Sequence, residues 1–183
     1  IMTLAKGIAS SYIPFGAVAV SAEINAPFES GETHFIHGFT NGGHPLGCAA
    51  GSELIDIIRD ENLLENCRKQ SEVLFSYREQ LLAHPTVRDV RGWGLMMVLE
   101  LIKDKESLDF FESSLQAEKL YSAITLKHGL VMYGSLYGPR RQAAFKRGLP
   151  SWISPPLTIS GEEMHDLVGR LDNALSEWES IVL

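Results

Sequence analysis

The sequence predicts a mixed α/β chain in two parts: the end of one domain, then a smaller α+β domain. Three observations lead there. A helical apolar period begins at Pro45 and runs, with one break, to His84. At Val87 the texture changes to short apolar runs punctuated by Gly92 and Gly94, which read as strand, turn and strand. A capping-box pair, Ser160 and Glu163, then opens a long amphipathic stretch to the C-terminus. The boundary is expected between residues 60 and 86, separating 1–60 from 61–183.

The elements follow in order. Ile1 to Ala5 is apolar and reads as a short buried strand. A chain that opens inside such a segment reads as the C-terminal part of a longer protein. Residues 13–20 are rich in Ala and Val and suit a second buried strand, entered through Pro14 and Gly16. Residues 23–44 carry Asn25, Pro27, Gly31, Gly38, Asn41, Gly42 and Gly43 and are expected to be irregular. So long a loop in a compact domain usually serves function.

Pro45 suits the first turn of a helix. Leu46, Ala49, Ala50, Leu54, Ile57 and Ile58 would share one face of it, and Gly47 and Gly51 would admit another backbone closely. Asp60-Glu61-Asn62 interrupts it, and Leu64, Cys67, Leu74, Leu81 and Leu82 continue a second helical stretch. After the strand–turn–strand, Asp104 to Ser107 is a turn. Leu108, Phe111, Leu115 and Ile124 mark a helix that stops at Gly129, and Leu130 to Tyr133 reads as a short strand. Residues 134–150 form a second long loop with Arg140, Arg141, Lys146 and Arg147. Trp152 to Ile159 is extended. The last helix buries Met164, Leu167, Val168, Leu171, Leu175 and Trp178. Its acidic residues Glu162, Glu163, Asp166, Glu177 and Glu179 read as a solvated face.

Composition narrows the function. The chain is 45% hydrophobic and 21% charged, which is ordinary for a globular protein. A net charge of −7 leaves no basic stripe to displace counterions, so neither nucleic acid nor an anionic membrane is an expected partner. No apolar run reaches the roughly 18 residues of a spanning helix. Cys48 and Cys67 have no metal spacing and fit a reducing compartment, so a cytoplasmic location is expected. His34, His37 and His44 have zinc-like spacing, but no cysteine or carboxylate completes a set, and no metal is expected. Gly92 and Gly94 are not a dinucleotide fingerprint, because no third glycine opens a helix.

Lys6 is the candidate for chemistry. It lies between the apolar run Ile1 to Ala5 and Gly7. Poor hydration there would disfavour the ammonium form and leave an amine able to form a Schiff base with an aldehyde. A solvated lysine after a short strand is the ordinary alternative.

Four segments together carry a resemblance. They are Leu4-Ala5-Lys6-Gly7 with Pro14-Phe15-Gly16-Ala17; His37-Gly38-Phe39-Thr40-Asn41-Gly42-Gly43-His44-Pro45; Val90-Arg91-Gly92-Trp93-Gly94-Leu95-Met96; and Ser154-Pro155-Pro156-Leu157. In this order they resemble class III, ω-amino-acid type aminotransferases, which use pyridoxal 5'-phosphate. The resemblance implies the fold-type I architecture. Residues 1–60 would be the C-terminal part of the cofactor-binding large domain and the start of the interdomain helix, and 61–183 the small α+β domain.

It also implies roles. Lys6 would hold the cofactor as a Schiff base and, once displaced, act as general base. Thr40 would bind the cofactor phosphate through its hydroxyl and backbone N–H, reaching the site of the neighbouring subunit in a homodimer with shared active sites. An N-cap or turn threonine is the ordinary alternative. Some relatives carry a substrate-binding arginine three residues before the Pro-Pro pair, where this chain has Trp152. Arg147, ahead of Arg141 and Arg140, is then the candidate for a substrate carboxylate. The substrates would be an amine or ω-amino acid and a 2-oxo acid such as pyruvate. An aminomutase, a decarboxylase or a non-catalytic interaction domain are the alternatives. In the family, the carboxylate for the pyridine nitrogen, a glycine-rich phosphate turn and a ring-stacking aromatic precede the lysine.

Overall fold

The computed structural model describes residues 1–132 and 148–183. The chain divides into two compact units, Ile1–Leu63 and Leu64–Leu183.

The first unit begins with β1 (Met2–Ala5), a 3-10 turn (Lys6–Ala9) and β2 (Gly16–Ala19). The two strands pair antiparallel, with Met2 opposite Ala19 and Ala5 opposite Gly16. Both were expected to be buried, yet all of β1 is exposed and only Ala17 of β2 is half-buried. A two-stranded ribbon has no further layer of its own to cover it. The apolar residues on both faces suit a strand covered on both sides, and this unit supplies neither cover. Exposed Met2, Leu4, Val18 and Val20 are the result.

Residues 23–44 are not wholly irregular: α1 spans Ala22–Glu29 with Pro27 inside it. The proline and Asn25 argue against a helix in sequence. Asn25 instead donates to Glu29 one turn on, at 2.7 Å, and Ser30 N–H closes the last turn on Ala26 O. A turn over Thr40–Gly43 then leads through His44 into α2 (Pro45–Asp60), with Pro45 in its first turn. The buried positions of α2 are Gly47 and Gly51 rather than the predicted Leu46–Ala49 side. Leu46 and Ala49 are exposed, while Leu54, Ile57 and Ile58 are half-buried. The Phe15 ring explains the shift. It lies against both glycines, where an added Cβ would fall 2.8 Å from its Cδ2 and 2.8 Å from its Cε1. The close approach expected at these glycines is made mainly by that ring. Ile8 O stands 3.6 Å from where a Cβ on Gly51 would sit. Helix α2 stops at Asp60, and Asn62 takes a left-handed φ of 53°.

The second unit holds the main core. Helices α3 (Leu63–Ser76, beginning at the boundary) and α4 (Arg78–Ala83) lead to β3 (Val87–Trp93) and β4 (Met96–Leu101). These strands form a hairpin, with Trp93 opposite Met96 across Gly94-Leu95. Gly94 has φ 59°, and a Cβ on Gly92 would lie 2.0 Å from Met96 O. Strand β5 (Leu149–Ile153) pairs antiparallel to β4, giving the order β3-β4-β5.

One sheet face carries Val90, Met97, Leu99, Leu101, Leu149 and Ile153 into the core. Helices α5 (Ser114–Lys127) and α6 (Gly161–Val182) pack there, with Leu74 and Leu81 from α3 and α4. Helix α6 buries Met164, Val168, Leu171, Leu175 and Trp178, and its Ser160–Glu163 capping box is formed in both directions. Burial of each such side chain contributes about 1.5–3 kcal/mol.

Two further expectations change. Helix α5 begins at Ser114, not near Leu108, which is exposed with φ 60°. The Asp104 turn takes up the intervening chain, its Oδ1 accepting from Glu106 N–H at 2.8 Å. Of the expected strand Leu130 to Tyr133, residues 130–132 form none and Tyr133 lies outside the described residues; Leu130 and Met132 pack on the core as single side chains. Gly129, at φ 78°, ends α5 where the expected stop lies.

Candidate active site

Lys6 directly follows β1 and opens the 3-10 turn, and its backbone is left-handed at φ 54°. Ser10 and Ser11 share that conformation at 46° and 61°. For a residue with a Cβ the left-handed region costs roughly 1–2 kcal/mol. Three such residues within six positions make an abrupt corner after the strand. Such strain clusters at functional sites.

The side chain of Lys6 is exposed. The poor hydration expected from its apolar neighbours is therefore not supplied by this unit, because β1 itself is uncovered. Among the described residues, no hydrogen bond or ion pair engages Lys6 Nζ. The amine is free to meet an electrophile.

Thr40 lies in the same unit. Gly42 N–H donates to Phe39 O at 3.0 Å, and His44 N–H to Asn41 O at 3.3 Å. These bonds wind the chain round Thr40, with Gly43 at φ 66°, directly into the first turn of α2. The Thr40 hydroxyl is exposed and takes no partner among the described residues. The rings of Phe28, Phe35, His37 and Phe39 run up to it edge to face, at centroid spacings of 5.8, 5.7 and 4.8 Å. His37 is thus part of an aromatic row. Lys6 and Thr40 are fixed to one element: the 3-10 turn packs on α2, and the Thr40 turn feeds its N-terminus.

Trp152, at the position where some relatives carry an arginine, lies on β5 opposite Val98 and points away from the core face. Its indole N–H is buried and has no acceptor among the described residues. Arg147, Arg141 and Arg140 lie outside the described residues.

Reading the acidic face of α6 as wholly solvated missed one residue. Glu179 is buried, and it joins His84, Asp172 and Thr86 in a hydrogen-bonded cluster. His84 immediately precedes Pro85 at the end of a helical stretch, which marks it as a helix cap. Nothing local ties it to a carboxylate 95 positions on.

The chain thus presents two separate donors, a free lysine amine just after β1 and a hydroxyl-bearing turn at the start of α2. The amine can bond an aldehyde, and the turn offers neutral donors to a phosphate. The family model for class-III aminotransferases matches residues 1–175. The chain belongs to the class-III aminotransferase family.

Relatives and structures agree. A probable aminotransferase of Mycobacterium tuberculosis is 38% identical over 170 residues, covering 91% of this chain and 34% of its own length. The putrescine–pyruvate aminotransferase of Pseudomonas aeruginosa is 33% identical over 184 residues, covering 100% of this chain and 37% of its own. A thermostable (S)-enantioselective ω-transaminase from Thermomicrobium roseum superposes with a TM-score of 0.78 at 35% identity, over 96% of this chain and 37% of its own. The fold is therefore that of the fold-type I pyridoxal-phosphate transaminases. The chain spans about a third of the length of these class-III relatives.

Proposed function

We propose that this chain is the Lys6-bearing portion of a transaminase. The enzyme moves an amino group from an amine or ω-amino acid to a 2-oxo acid such as pyruvate. The observation that carries this reading is the unpaired amine of left-handed Lys6, directly after β1, within a match to the family model over residues 1–175. The kinship with a putrescine–pyruvate aminotransferase favours an amine donor and pyruvate as acceptor.

The residues fit pyridoxal phosphate. When bound, that cofactor supplies an aldehyde and a conjugated ring that takes up the electron pair left on a substrate carbon. Lys6 would hold the cofactor, its Nζ placed to bond that aldehyde. The same Nζ, as a free amine, would hold the proton removed from the carbon that bears the amino group. The left-handed corner serves this step by fixing where the flexible side chain starts, so that its amine returns to one place. Thr40 donates its hydroxyl and backbone N–H to the phosphate, at the positive end of α2. In this reading Thr40 serves the neighbouring subunit of a homodimer, and the aromatic row beside it faces that subunit. Residues 1–60 belong to the cofactor-binding domain and 61–183 to the small domain. Arg147 meets the substrate carboxylate. The enzyme acts in the cytoplasm, a reducing compartment that suits the free Cys48 and Cys67.

The test is stoichiometry. The complete polypeptide, loaded with pyridoxal phosphate, is mixed with pyruvate and a panel of diamines and ω-amino acids. The reading expects alanine to form in step with loss of donor amine. Carbon dioxide release or donor isomerisation without alanine would overturn it in favour of a decarboxylase or aminomutase.

A further inference from the structure

We propose that His84, Glu179 and Asp172 form a protonation-dependent clamp fastening the C-terminal half of α6 to the corner between α4 and β3. His84 ends α4, and its ring bridges two carboxylates of α6. Nδ1 lies 2.8 Å from Glu179 Oε2 and Nε2 lies 3.1 Å from Asp172 Oδ1. An ionised carboxylate only accepts, and a neutral imidazole has one N–H. Both bonds can be made together only by the imidazolium. Asp172 and Glu179 stand two helical turns apart, so one ring pins two successive levels of the helix.

The surroundings hold the carboxylates as acceptors. Glu179 Oε1 takes a hydrogen bond from Thr86 N–H at 3.1 Å and from Thr86 Oγ1 at 2.6 Å. Asp172 Oδ1 takes one from Gln80 Nε2 at 3.0 Å. The His84 and Glu179 side chains are 10% and 8% exposed and Asp172 is 32% exposed, so solvent screens the first pair weakly. Among the described residues, the remaining charge engaging the corner is Lys105. Its Nζ donates to Leu82 O at 2.7 Å and His84 O at 2.9 Å. That ammonium is held by backbone carbonyls, while the ring itself faces the two carboxylates.

The titrations run in matching directions. The Glu179 bond raises His84, burial lowers it, and Asp172 raises it again, leaving it above its ordinary value. Burial pushes Glu179 up, and the bonds from His84 and Thr86 more than offset this, holding it below its ordinary value. A raised histidine stabilises fully below its unfolded value and loses that stability as pH climbs through the folded value. A depressed carboxyl stabilises above its unfolded value and loses it as pH falls through the folded one. The clamp is therefore tightest between about 4.5 and about 6.5 and loosens above the folded-state titration of His84. Above it the ring has one N–H for two acceptors.

Two measurements on the complete, cofactor-loaded polypeptide test this. Exchange of the histidine C2 hydrogen, read by mass spectrometry, gives the titration of His84. Amide exchange, corrected for its intrinsic pH dependence, gives the protection along α6 at pH 6 and pH 9. We expect His84 to titrate above about 6.5. We expect α6 amides beyond Asp172 to lose protection at high pH, about tenfold for each unit of that displacement. Amides in the first turns of α6 should not follow. Glu179→Gln should lower the His84 titration, and His84→Gln should flatten the pH dependence. His84 titrating at or below its ordinary value overturns the clamp. So does protection beyond Asp172 that is the same at both pH values. If His84→Gln fails to fold, the wild-type and Glu179→Gln measurements still decide.

Discussion

The Phe15 ring fills the room that a side chain at Gly47 would need. A Cβ there would stand 2.8 Å from Cδ2 and 3.3 Å from Cε2. This contact ties the segment after Lys6 to α2, and α2 in turn carries the Thr40 turn.

Gly47→Ala should therefore destabilise the protein, although alanine favours a helix by about 1 kcal/mol. Overpacking against the ring costs about 1–3 kcal/mol, so the net loss should be about 1 kcal/mol. Denaturant unfolding checks this. Adding Phe15→Ala to Gly47→Ala should cost less than the sum of the two single changes, because the ring that clashes is gone. Strict additivity would mean that the ring can move aside freely.

Gly92→Ala should be worse. The obstacle at 2.0 Å is the backbone carbonyl of Met96, which no rotamer change can move. The β3–β4 hairpin must open, and a loss of 3 kcal/mol or more is expected, on the order of the severe backbone effects. Gly94→Ala, whose difficulty is its φ of 59°, should cost roughly 1–2 kcal/mol. Unfolding midpoints of the two variants should rank in that order.

Trp178 is fully buried and donates its indole N–H to Ala117 O at 3.3 Å. Its ring meets Phe111 and Tyr121 at 5.1 and 5.3 Å. Trp178→Ala should cost about 3–5 kcal/mol. Thermal unfolding that leaves the midpoint within a degree of wild type would contradict the placement of the core.

Much of the second unit was legible because its signals are local. The α6 stripe, the Ser160–Glu163 box and the Gly92–Gly94 hairpin each need only near neighbours to be read. The first unit was legible in its motifs but not in its burial. Leu4 and Val18 look like core residues, and this unit provides nothing to cover them. Helix α1 was missed because Pro27 weighs against a helix, while the Asn25–Glu29 bond that favours one shows only in three dimensions. Glu179 was misread because an acidic residue beside others looks solvated, and its partners are distant in sequence. At the candidate site, Lys6 stands out by its local pattern and Thr40 only through the resemblance its segment carries. The left-handed backbone at Lys6 does not stand out, since no glycine or asparagine occupies that position to announce it.

If Thr40 holds the cofactor phosphate, Thr40→Ala should weaken cofactor binding roughly 10–100-fold, the loss of one hydrogen bond to a charged group. Thr40→Ser keeps the hydroxyl and should restore most of it. Absorbance titration of the cofactor-free protein with pyridoxal phosphate measures both. Equal affinities for wild type and Thr40→Ala would remove that role.

The most direct measurement is covalent. The complete polypeptide is incubated with pyridoxal phosphate, reduced with borohydride, digested and mapped by mass spectrometry. The account predicts one pyridoxyl adduct per chain, on Lys6, and none in Lys6→Ala, which should stay folded but lose transamination. An adduct on another lysine, or undiminished turnover in Lys6→Ala, would contradict it.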